Sequence, residues 1–105
     1  MAVVTVVTLT VKPDRFADAV ESVRKSKAII ERGGGRDFRL LAALVAGEAT
    51  GSVVVSFEAD DFAAYGSIQD KFLADPEGVA LISATNTSEG PIAGYQQTLW
   101  VDVPL

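Results

Sequence analysis

Val3-Val4-Thr5-Val6-Val7-Thr8-Leu9-Thr10-Val11 decides the fold. It is β-branched at every position but Leu9, has no helical period, and stops at Lys12-Pro13-Asp14, which marks it as a strand. In an extended chain alternate residues face opposite sides, so Val3, Val7, Leu9 and Val11 point one way while Val4, Val6, Thr8 and Thr10 point the other. An antiparallel sheet with one wet face alternates cleanly between apolar and polar, and this strand does not. Phe38 to Ala46 repeats the pattern: Phe38, Leu40, Ala42 and Leu44 form one row, Leu41, Ala43 and Val45 the other, with Arg39 the single interruption. Helices lying on one side can satisfy only one of these faces. The other requires a partner, and a second copy of the same chain supplies it most economically.

Outward from that strand, Asp14 stands where a polar residue starts a helix. Phe16, Val20, Val23 and Ile30 then recur at helical spacing until Gly33-Gly34-Gly35 stops them. After the second strand, residues 47–51 read as a turn and Ser52 to Glu58 as a third strand, making a hairpin. Asp60 or Asp61 caps the next helix, with Phe62, Tyr65, Ile68 or Gln69, and Phe72 facing inward. Asp75-Pro76-Glu77 restarts a short helical segment through Ile82, Thr85 to Pro91 is a loop, and Ile92 to Val103 is the last strand. The order β-α-β-β-α-β predicts one ferredoxin-like α+β domain over residues 1–105. Its four-stranded antiparallel sheet carries both helices on one face.

Composition narrows the chemistry. A formal charge of −5 with nine scattered Lys and Arg argues against nucleic acid, which is held by clustered cations. No apolar run reaches the roughly 20 residues that cross a bilayer, and the start lacks the pattern of a secretion signal, so a cytoplasmic location and no membrane partner are expected. The chain has neither Cys nor His. That excludes Ser-His-Asp and Cys-His catalysis, imidazole-ligated haem and every Cys/His zinc site, and no metal or cofactor is expected.

Gly51-Ser52-Val53-Val54-Val55-Ser56-Phe57-Glu58-Ala59-Asp60-Asp61-Phe62, followed by Phe72-Leu73-Ala74-Asp75-Pro76-Glu77, resembles the dimeric α+β barrel superfamily. The nearest flavour is the NIPSNAP-like and antibiotic-biosynthesis-monooxygenase-like group, and Lys12-Pro13-Asp14 matches its turn after the first strand. These motifs are structural punctuation and carry a fold better than a function. The resemblance implies a homodimer whose subunits each hold a ligand cleft between sheet and helices. It also implies a cofactor-independent oxygenase or isomerase acting on a small aromatic or polyketide-like molecule, or else a non-catalytic small-molecule-binding or accessory dimer. The sequence does not decide between catalysis and binding.

Tyr65, Phe72, Gln97 and Trp100 are the candidates to line such a cleft: a phenol can donate to a developing oxyanion, an amide can orient a carbonyl, and rings can stack on a planar ligand. Gln97 and Trp100 differ in strand parity, so only one of them can face a given cavity. Arg39 could hold a carboxylate or phenolate with its planar fork, although an intersubunit ion pair explains it equally. Asn86 could gate the cleft from its loop. The pair Asp60-Asp61 reads as a helix cap, Gly33-Gly34-Gly35 lacks the spacing of a phosphate loop, and Lys71 beside Asp70 reads as a solvated cation.

Overall fold

Each β-branched run pairs with its neighbours as the alternation requires. In the computed structural model, which describes residues 1–44, 47, 51–85 and 87–105, the order is β1 (Val3–Val11), α1 (Phe16–Arg32), β2 (Arg36–Ala42), β3 (Ser52–Ala59), α2 (Phe62–Ala74), α3 (Pro76–Thr85) and β4 (Ile92–Val101). The strands make one antiparallel sheet in the order β2-β3-β1-β4. This is the ferredoxin-like arrangement expected from the sequence, with one addition. The segment after Pro76 is a full helix of 10 residues, so two helices, not one, separate β3 from β4.

Register fixes the two faces. Thr5 stands opposite Phe57 and Leu99, and Val7 opposite Val55 and Gln97, in the row facing the helices. On this side Phe57 and Ala59 of β3 form the core with Ile30 of α1 and Ile68 of α2, and Phe38 stacks on Phe57 at 6.3 Å between ring centroids. Val4 stands opposite Glu58 and Trp100, and Val6 opposite Ser56 and Thr98, in the row facing away. Val4, Val6 and Val54 on that outer face are half-buried in the single chain.

Several local expectations are corrected. Asp14 does not cap α1. It takes φ 62 in a turn closed by Arg15 N–H to Lys12 C=O (3.1 Å), with Pro13 before it, and Arg15 occupies the cap position without a side-chain bond to the helix's first N–H groups. Phe16 and Phe62, expected to point inward, are 54% and 67% exposed, while Ala19 and Ile29 are buried instead. Each phenylalanine opens its helix, where the first turn overhangs the edge of the core. Asp61, not Asp60, caps α2 by accepting from Ala64 N–H at 2.7 Å, and Asp60 pairs with Arg36.

β2 begins two residues earlier than its apolar pattern suggested. Arg36 pairs with Glu58 and Arg39 with Ser56, so two residues on β2, Asp37 and Phe38, stand against one on β3, Phe57, with Asp37 at φ 53. This bulge puts both arginines on the outer face while Phe38 remains in the core. The end of the expected second strand and most of the turn at 47–51 lie outside the described residues.

Candidate ligand cavity

Packing α1 and α2 over β3 leaves the sheet under-covered toward β4, and a cavity of about 290 Å³ lies there, between the sheet and all three helices. Val7, Leu9, Val55 and Phe57 form its floor, Ala19, Val23 and Ile30 one wall, Ile68 and Phe72 another, and Leu81, Ile82 and Ile92 a third. The polar groups at its surface belong to Ser22, Ser26, Gln69, Thr85, Tyr95 and Gln97, and among the described residues no charged side chain lines it. Two hydroxyls are committed to their own helix: Ser26 Oγ donates to Ser22 C=O (3.0 Å) and Thr85 Oγ1 to Leu81 C=O (2.9 Å).

The two glutamines are organised from outside the cavity. Gln69 Nε2 and Gln97 Nε2 both donate to Tyr65 Oη, at 3.2 Å and 2.5 Å. Tyr65 and Gln69 are one helical turn apart on α2, whereas Gln97 comes from β4, so the phenol ties helix to strand. Tyr65 itself is half-buried, packs on the core cluster, and tilts against Phe62 at 6.0 Å. With its oxygen accepting twice, its own proton is left to donate. Each amide keeps a second N–H and its carbonyl for a ligand. Among the described residues, no three His, Cys, Asp or Glu side chains come together to hold a metal ion.

The structure separates the six candidate residues. Phe72 and Gln97 line the cavity, and Tyr65 bonds to Gln97. Trp100 and Arg39 lie on the opposite face of the sheet. Trp100 is 60% exposed and donates from Nε1 to Thr98 Oγ1 at 2.8 Å. Arg39 lines a second hollow with Val4, Asp37, Ser56 and Glu58. Asn86 lies outside the described residues. Gln69 and Tyr95 were not singled out for the cleft. The signals were present: Gln69 sits four residues after Tyr65 on a helix, and Tyr95 shares the strand parity of Gln97.

Comparison with solved structures follows this geometry. A NIPSNAP family protein from Agrobacterium tumefaciens superposes with a TM-score of 0.74 at 11% identity, over 97% of this chain and 86% of that one. SnoaB, a cofactor-independent oxygenase from Streptomyces nogalater, superposes at 0.73 with 18% identity, over 99% and 95%. A DABB family protein with a ferredoxin-like fold from Mesorhizobium loti superposes at 0.72 with 18% identity, over 98% of both chains. The chain shares their fold. At these identities the likeness speaks for architecture alone. No family model and no curated protein matches the sequence. No helix among the described residues is long and apolar enough to cross a membrane.

Proposed function

We propose that this chain binds a small, uncharged aromatic or polyketide-like molecule in the cavity between sheet and helices and acts on it without a cofactor, as an oxygenase or isomerase does. The observation that carries this reading is the pair of glutamine amides held on one phenol at the edge of a pocket lined by no charge. A buried ionic ligand would go uncompensated there, whereas an apolar ring system gains from leaving water, and the amides held by the Tyr65 oxygen meet its carbonyl or phenol oxygens. The volume, near the lower end for ligand sites, fits one or two rings rather than a long chain. The SnoaB fold likeness supports the oxygenase form. In that form the electrons that reduce dioxygen come from the substrate itself.

Among the described residues the lining offers no carboxylate or imidazole to abstract a proton. This favours phenols and enols, whose own oxygen presents the developing charge to the two amides. It also supports the second reading, a binding protein without catalysis. Oxygen uptake, product analysis and isothermal calorimetry with 1-naphthol and a set of quinols separate the two. Turnover that falls about tenfold in Gln97→Ala supports catalysis at these amides, binding with neither oxygen uptake nor a changed product supports the second reading, and neither binding nor turnover removes the cavity from consideration.

The functional unit is a cytoplasmic homodimer of single-domain subunits whose outer sheet faces, centred on Val4, Val6 and Val54 with Trp100 and Leu41 toward the edges, cover one another. β2 and β4 are the two free edges of the sheet, and a partner also answers their unpaired backbone. Light scattering on Trp100→Glu tests this. The wild type runs as a dimer and the variant as a folded monomer; a wild-type monomer at micromolar concentration overturns the interface.

A further inference from the structure

We propose that α3 is a hinged lid over one side of this cavity, held down by a latch of Lys12 and Arg15, and that release of the latch widens the entry for the ligand. Admission of a ligand rests on the function proposed above; the lid and its latch do not.

α3 supplies Leu81, Ile82 and Thr85 to the cavity wall, yet its one buried residue is Gly78, and Val79 is 46% exposed. A helix that leaves its apolar residues in solvent loses little burial when it lifts away. Its root is fixed. Asp75 N–H donates to Lys71 C=O (3.1 Å), the Asp75 carboxylate accepts from Arg32 (3.2 Å) and from Glu77 N–H (2.8 Å), and a Cβ at Gly78 would collide with the Phe72 carbonyl oxygen.

Beyond the other end of α3, two cations hold the loop. Lys12 Nζ donates to Ser88 C=O (2.5 Å) and Arg15 Nη1 to Glu89 C=O (3.0 Å). Both belong to the turn joining β1 to α1, where Asp18 fixes Arg15 through Nε at 2.7 Å, and Lys12 N–H also ties Pro91 C=O to the sheet at 2.9 Å. A Cβ at Gly90 would strike the Ala84 carbonyl oxygen, so Gly90 lies directly on the last turn of α3 and couples residues 87–90 to it. α3 has no basic residue in its own last turn, and Lys12 and Arg15 bring positive charge to that side. The segment is thus pinned at Asp75 and at Pro91, and of the α3 side chains between them none is fully buried, Leu81 and Thr85 being half-buried and Ile82 exposed.

Hydrogen exchange followed by mass spectrometry on the ligand-free protein tests the latch. A 10-residue helix without packing frays, so its amides report detachment. In the double variant Lys12→Ala/Arg15→Ala, amides of residues 79–85 exchange about tenfold faster than in the wild type while those of β1 and β3 do not change. Gly78→Ala, which forces the root off Phe72, gives the same local rise. Unchanged exchange over 79–85 in the double variant overturns the latch, and an equal rise throughout the sheet overturns it too, because the cations would then support the whole fold. Stopped-flow binding of 1-naphthol follows: association and dissociation both quicken in the double variant. A local exchange response without any 1-naphthol binding keeps the lid and removes the proposed ligand class.

Discussion

β3 and β4 flank the same strand, β1, in the same antiparallel sense, yet they live in different environments. Val53, Val55, Phe57 and Ala59 of β3 are all buried, in strict alternation with half-buried outer residues. On β4 the residues of the same row, Tyr95, Gln97, Leu99 and Val101, are exposed. The difference lies in what the helices cover: α1 and α2 pack with β3 around Ile30 and Ile68, and the β4 side is left to α3, a helix with one buried residue. One half of the inner face is core and the other half is site. A polar amide such as Gln97 can stand on β4 because nothing there demands an apolar side chain.

The largest expected effect breaks this comparison directly. Phe57→Ala removes a ring packed against Ile30, Ile68 and Phe38 and should cost roughly 3–5 kcal/mol of unfolding free energy in a urea titration. Leu99→Ala, in the same row two strands away and 38% exposed, should cost about 1 kcal/mol. Equal losses would mean that β4 is buried as deeply as β3 in solution, by a partner or by helices, and the open site would disappear.

Less drastic substitutions at the polar edge sharpen the other half. Gln97→Ala and Tyr65→Phe should each weaken 1-naphthol binding about tenfold in calorimetry while changing stability by less than about 1 kcal/mol. Tyr65→Phe keeps the ring on the core and removes only the oxygen that both amides share. Full affinity in both variants would show that the amides do not face the ligand.

The fold was legible because its signals are local and redundant. The β-branched run at Val3–Val11, the glycine stop after α1 and the cap at Asp61 each act within a few residues, and register then follows from alternation. The strand-parity argument correctly sends Gln97 and Trp100 to opposite faces, and pairing with Val7 and Val4 shows which is which. What was not legible depends on coverage. Nothing local in Phe16 or Phe62 says that the first turn of each helix overhangs the core. The bulge at Asp37 is invisible in an apolar pattern because it shifts Arg36, a charged residue outside the expected strand. Gln69 could have been paired with Tyr65 by helical spacing, but its link to Gln97 spans 28 residues and two elements and requires the folded sheet.

The smallest expected effect sits on the boundary between the two halves. Thr5 is fully buried between Phe57 on β3 and Leu99 on β4, and its Oγ1 has no hydrogen-bond partner among the described residues. A buried hydroxyl without a partner has lost water and gained nothing in return. Thr5→Val keeps the β-branched shape suited to a strand and replaces that hydroxyl with a methyl group, so it should stabilise the fold by about 1 kcal/mol, a rise of a few degrees in Tm by calorimetry. Val3 and Val7, on either side in the same row, show that valine suits this position in β1. If Thr5→Val lowers Tm instead, the hydroxyl has a bonding partner in solution, and the core half of the sheet reaches less far toward β4 than the burial of Thr5 implies.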